Sequence, residues 1–420
     1  MIPFLWGAAT SHHQVEGGAP SSVEPSDWSD WTRDPRHIAD GTNADQACGW
    51  WLGKAEDDLT LARSLGHNAH RMGLSWARLE PAPNEWDSDA FARYEAILAH
   101  ARSLGLHTSV TLHHFTLPRW VAARGGFERD ESVERFARFA AHVVARLGPL
   151  VTHWATFNEP SVYAMMSFGG RAWPPGKGSP IAQFRVLARL LHAHAGAVRS
   201  IRRMVPDTSV GIVLNAPVFD PERPERRRDR AVAFAQDHAF TGCVLDALET
   251  GRLRPPLAPT SIDVPGLRAS FDWIGLNYYG RYRVRFDPRV PALLFGRHVQ
   301  KNSIRHGDVD WGEPHPEGLT RQLLRIAALG KPVFVTENGV FDATDGLRQR
   351  YLADHVRAVS IARERGADVR GYFHWSLLDN FEWAEGFTTP FGLVEVDRVT
   401  GERRPRASAF LYQRLIAASQ

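Results

Sequence analysis

The chain has 420 residues, 43% of them apolar and 23% charged, with a net charge of +3. That balance gives a globular protein enough apolar surface for a large core, and the length alone allows two or three average domains or one elaborated barrel. The charge argues against a nucleic-acid surface, because the one basic concentration, residues 223–230, is broken by Pro224, Glu225 and Asp229. The two cysteines, Cys48 and Cys243, are too few and too far apart for a disulfide framework or a metal-ligand spacing.

In chain order, short apolar runs alternate with amphipathic helical patterns. A first strand is expected over residues 4–8, followed by Thr10-Ser11-His12-His13-Gln14-Val15-Glu16-Gly17. A helix over 55–65 leads to a strand at 69–74 carrying His70 and Arg71, and a helix over 89–104 to a strand at 107–112, closed by His113-His114. The pattern continues with a helix at 132–147, a strand at 153–157 ending in Asn158-Glu159, a helix at 184–204 and a strand at 209–214. A helix over 229–248 precedes the sixth strand, 273–277, which opens into Tyr278-Tyr279. The longest irregular stretch, 280–316, follows it, and loops of that length in a compact domain are usually functional or mobile. Helices at 317–329 and 345–365 flank a strand at 333–336 that runs into Glu337-Asn338-Gly339, and the last strand is 369–375. Strands apolar on both faces belong to a parallel sheet covered by helices. Eight such units with no linker predict a single (β/α)8 barrel domain, class α/β, over residues 1–420, with loop insertions at its C-terminal face.

Catalytic groups in such barrels come from the C-terminal ends of the strands. Those ends are rich in carboxylates, amides, histidines and tryptophans, and lack a phosphate-cradling glycine loop. Sugar chemistry accounts for that set. Hydroxyls need paired donors and acceptors, a pyranose face stacks on tryptophan, and acetal cleavage needs an acid and a nucleophile. The histidine pairs His12-His13 and His113-His114 could suggest metal ligands. Neighbouring strand residues point to opposite faces, however, so only one of each pair should reach the barrel mouth.

The motifs Asn158-Glu159-Pro160, Thr336-Glu337-Asn338-Gly339 and Trp375-Ser376-Leu377-Leu378-Asp379-Asn380-Phe381-Glu382-Trp383 occur in that order. With them the chain resembles glycoside hydrolase family 1, the β-glucosidase and β-glycosidase family, over nearly its whole length. The resemblance implies that Glu159 is the acid/base and Glu337 the nucleophile, with Arg71 and Tyr279 fixing the position and charge of Glu337. It implies that Asn158 holds the sugar 2-hydroxyl and that Gln14, His114, Glu382 and Trp383 bind the other hydroxyls, over a floor formed by Trp375. Asn277, at the end of the sixth strand, joins this substrate-binding set. A retaining mechanism would place the two carboxyls ~5–5.5 Å apart. No metal or cofactor is implied.

Two segments depart from the family pattern. His113-His114-Phe115 stands where Tyr-His-Trp is usual. Asp310-Trp311-Gly312-Glu313 displaces the usual Gly-Trp-Glu, which leaves Trp311 and the aglycone side unassigned. Glu382 should repel a 6-phosphate, so unphosphorylated glycosides are expected. The expected activity is a retaining exo-β-glycosidase acting on terminal β-D-glucosides, with galactosides or fucosides as further substrates. A transglycosidase using the same intermediate, a metal-dependent hydrolase and a non-catalytic sugar- or protein-binding barrel are the alternatives. The N-terminal residues have no basic, apolar and cleavage-site arrangement, and no ~20-residue apolar run is present, so a cytoplasmic enzyme without membrane or nucleic-acid partners is expected.

Overall fold

The structure is a computed structural model that describes residues 3–18, 22–306 and 309–419. Eight parallel strands close into a barrel: β1 (Leu5–Ala9), β2 (Ala69–Gly73), β3 (His107–His113), β4 (His153–Asn158), β5 (Val210–Asn215), β6 (Trp273–Asn277), β7 (Val333–Asn338) and β8 (Val369–Trp375). They lie in sequence order around the ring, and β1 closes it by pairing with β8 from Leu5–Gly371 to Ala9–Trp375. The (β/α)8 expectation holds, with the limits of six strands displaced by one or two residues and those of β6 and β8 as expected.

Alternation along each strand divides the core in two. Leu5 and Ala9 of β1 and Ala69 of β2 face inward, where they join Ala155, Val213, Trp273, Phe334 and Phe373 in a compact plug that ends at Trp375. Trp6 and Ala8 face outward and belong to the larger layer between strands and helices. The helix Glu131–Leu147 shows why that layer forms. Phe136, Phe139, Ala140, Val143, Val144 and Leu147 lie on one buried face, while Glu131 and Glu134 occupy the first turn and Arg146 the last, each matching the helix dipole.

Both strands that carry a singled-out carboxylate are irregular at their C-terminal ends. The register of β4 against β5 shifts between Ala155 and Asn158, and that of β7 shifts after Val335 against both neighbours. Such bulges re-aim side chains at the rim of a barrel. Gly339 makes the second one possible, because a Cβ there would lie 1.8 Å from the carbonyl oxygen of Trp375.

Two expectations are corrected. Among the described residues, the stretch 280–316 is not irregular throughout. Arg281–Phe286 pairs with Val218–Pro221 and with Gly296–His298 in a three-stranded sheet, and Arg305–His306 pairs with Val309–Asp310. The alternation Arg281-Tyr282-Arg283-Val284-Arg285-Phe286 is what a sheet with one covered face demands. The helix expected over 229–248 runs from Arg227 to Thr250, with one wider π turn inside it at His238–Gly242. His12 and His13 lie on a short helix, His12–Val15, rather than a strand, so both rings reach the same partner, Glu24. Among the described residues no helix is long and apolar enough to cross a membrane.

Candidate active site

Glu337 lies in the bulged end of β7 and is almost fully buried. The guanidinium of Arg71, from β2, donates to Glu337 Oε1 at 2.5 Å, and the Tyr279 hydroxyl donates to Oε2 at 2.8 Å. Each oxygen therefore has its own donor, one of them cationic, which stabilises negative charge on this carboxylate. Arg71 also donates from Nη2 to Asn158 Oδ1 at 2.7 Å and to Thr111 Oγ1 at 3.2 Å.

Glu159 follows β4 with φ of +45°, in the left-handed region that is uncommon for a residue bearing a side chain. Its Oε1 accepts from Asn277 Nδ2 at 2.7 Å and from Asn215 Nδ2 at 2.9 Å. Both donors are neutral amides. Burial, and then the charge of Glu337, push the Glu159 carboxyl well above the usual carboxylate range. Asn277 also donates to Asn158 Oδ1 at 3.1 Å, so Arg71, Asn158 and Asn277 link the two carboxylates in one bonded chain. Thr336, next to Glu337, donates to Asn277 Oδ1 at 2.7 Å and fixes which way that amide faces.

The remaining singled-out residues complete the mouth. His114 Nε2 lies 3.0 Å from Asn158 Nδ2, and its ring faces Trp375 and Trp383 at 6.1 and 5.9 Å. Gln14 Nε2 donates to Glu382 Oε2 at 3.0 Å and to Asn380 Oδ1 at 3.1 Å, and Trp375 donates to Glu382. Burial and the Glu337 charge push the Glu382 carboxyl up to about 8. His113 points away from the mouth into Phe127, Phe157 and Tyr163, as alternation requires. The eleven residues assigned from the sequence to catalysis or sugar binding thus fall in one connected cluster, with His113 outside it.

Sequence reasoning missed Asn215, Thr336, Asn380 and the tryptophans Trp28 and Trp173, which join Phe115 in a wall behind Trp383. Asn215 carries the same signal as Asn158 and Asn277, an asparagine that ends an apolar strand. Trp311, unassigned from sequence, packs on Phe341 and Phe391 at 5.2 and 5.8 Å, beside Tyr279. Among the described residues no group of three or more His, Cys, Asp or Glu side chains is arranged to hold a metal ion.

A family model described as glycosyl hydrolase family 1 matches residues 2–420. The chain belongs to glycosyl hydrolase family 1. This family 1 enzyme is 32% identical to a β-galactosidase of Pyrococcus woesei over 99% of its own length and 96% of the relative's. It is 31% identical to β-glucosidase A of Thermotoga maritima, with 98% and 96% of the two chains covered. Among solved structures it is similar to a β-glycosidase from Pyrococcus horikoshii, at 37% identity and a TM-score of 0.88 over 98% of this chain and 93% of that one. The family 1 β-glucosidase from Thermotoga maritima superposes with a TM-score of 0.90 at 29% identity, covering 99% and 97%. The enzyme is a glycosyl hydrolase, built on the barrel its relatives share.

Proposed function

We propose that the enzyme is a retaining exo-β-glycosidase that releases terminal β-D-glucosyl residues, and accepts galactosyl and fucosyl residues, from unphosphorylated glycosides. The observation that carries this reading is the unequal setting of the two carboxylates. Glu337 is ion-paired to Arg71 and hydrogen-bonded by Tyr279, whereas Glu159 meets only neutral amides and is pushed toward its protonated form. One carboxyl is therefore prepared as an anion and the other as an acid, the division of labour that acetal cleavage needs.

In the first step Glu159 gives its proton to the glycosidic oxygen, the bond from C1 to that oxygen breaks, and a Glu337 oxygen bonds to C1. Esterified Glu337 no longer repels a second negative charge, so the pKa of Glu159 falls and the same group becomes the base. In the second step water gives a proton to Glu159, its oxygen bonds to C1, and the bond to Glu337 breaks. Asn158, held by Arg71 and Asn277, is positioned for the sugar 2-hydroxyl. Gln14, His114, Glu382 and Trp383 bind the other hydroxyls, and Trp375 forms the floor. A third carboxyl, that of Glu382, disfavours a 6-phosphate.

The two glutamates can be distinguished by product anomer. Glu337→Gly should abolish turnover and, with azide and an activated aryl β-glucoside bearing a good leaving group, form little or no β-azide. Offered an α-glycosyl fluoride instead, that variant should build β-linked transfer products. Glu159→Ala should regain turnover of activated aryl β-glucosides with azide and give the β-glycosyl azide by NMR. A β-glycosyl azide from the Glu337 variant in place of the Glu159 variant would reverse the assignment.

A further inference from the structure

The pair His12-His13 plays no part in the chemistry above, yet it sits directly behind the sugar-facing wall. The carboxylate of Glu24 is buried, and no guanidinium or ammonium among the described residues lies within ion-pair range of it. His13 Nδ1 lies 2.6 Å from Glu24 Oε2 and His12 Nε2 lies 3.3 Å from Oε1. Ser26 donates to Oε2 at 3.1 Å, while Ser75 and Thr116 reach Oε1. Glu24 therefore ties together the loops that follow β1, β2 and β3. Burial pushes its carboxyl upward, but His12 and His13 outweigh that and hold it well below the usual carboxylate range.

A carboxylate can only accept, so the proton on His13 sits at Nδ1 and the plane of the ring is fixed. That plane lies flat on the indole of Trp383, with centroids 5.6 Å apart and an interplanar angle of 12°. Trp383 needs such support. Its φ is +52°, a left-handed conformation that persists in a bulky residue only when the surroundings over-determine it. Trp28, at 4.8 Å, and Phe115, at 5.1 Å, supply edges and tilted faces, while the stacked face on this side comes from His13.

We infer that Glu24 and His13 form a positioning pair that sets the orientation of Trp383 and, through it, the recognition of one glycone hydroxyl. The inference rests on the proposed role of Trp383 as a glycone contact. Glu24 fixes the ring, the ring fixes the indole, and the indole N–H meets the sugar.

The test compares kcat/KM for an aryl β-glucoside and its mono-deoxy analogues in the wild type, His13→Phe, Glu24→Gln, Trp383→Phe and the His13→Phe/Trp383→Phe double variant. His13→Phe keeps a flat ring but loses its anchor, and Glu24→Gln is nearly isosteric should the first variant fold poorly. Each should lower kcat/KM on the parent glucoside by about tenfold, the scale of coupling between contacting residues. The loss should vanish for the deoxy glucoside that is also indifferent to Trp383→Phe, and the double variant should be no worse than Trp383→Phe alone. A loss equal for all the glucosides, multiplying with that of Trp383→Phe, would show a merely structural role and overturn the inference. A Trp383→Phe variant with wild-type kcat/KM on every glucoside would instead remove the glycone role of Trp383, and this inference with it.

Discussion

Arg71 is the residue on which the site's electrostatics turn, because one guanidinium serves both Glu337 and Asn158. The Tyr279 hydroxyl contributes a single neutral bond to the same carboxylate. That difference allows Tyr279→Phe to test the preparation of Glu337 without leaving a buried charge unpaired. Its loss should lower kcat by ~10²-fold, the low end for a preorganised donor at a reacting oxygen, with KM changed much less. Steady-state kinetics with an aryl β-glucoside measures both. An equal change in KM with kcat retained would mean that Tyr279 binds substrate and does not prepare Glu337 for its proposed role.

At the scale of elements, the bulged end of β7 and the last residue of β8 are packed backbone to backbone. Gly339→Ala would place a methyl group against the Trp375 carbonyl, which is main chain and cannot swing aside. The variant should be destabilised by about 1–3 kcal/mol, as over-packed cores are. It should also lose activity, since Glu337 and Trp375 are carried by the two segments forced apart. Thermal melts and kinetics on the purified variant check both outcomes. The sequence made these strands legible because a fully buried parallel strand is an unbroken apolar run, and β6 and β8 match their expected limits. It made Glu159 and Glu337 legible because each ends such a run. What it hid follows from the same rule. Asn215 fell one residue beyond the expected end of its strand and was passed over. The sheet through Arg281–Phe286 is half exposed and arginine-rich, so its period-two pattern did not look like a strand. The short helix at His12–Val15 is set by tertiary contacts to Glu24, which no local pattern carries.

For the whole molecule, buried acids link stability to pH. Burial pushes Asp27 and Glu382 up to about 8, in each case ahead of neighbouring charge. A carboxyl whose folded pKa is raised binds its proton more tightly in the folded state. The stability it contributes is complete below the unfolded pKa of about 4 and is lost as pH rises toward about 8. Glu382→Gln should therefore gain Tm relative to wild type progressively from about pH 5 to pH 8, with little difference near pH 4, in melts across that range. A constant offset at every pH would exclude the linkage. The seam of the barrel bears on how the chain reaches this state. Tyr412, on the helix Ala407–Ala418, donates to the carbonyls of Gly7 at 2.9 Å and Tyr372 at 3.1 Å, on the first and last strands. During synthesis β1 emerges first and waits for β8, and the residue that ties them emerges later still. Contacts so distant along the chain are the slow ones in folding, and until they form the growing sheet has open edges. Since Gln14 and Glu382 bond across that same seam, the proposed sugar site comes into existence only at ring closure.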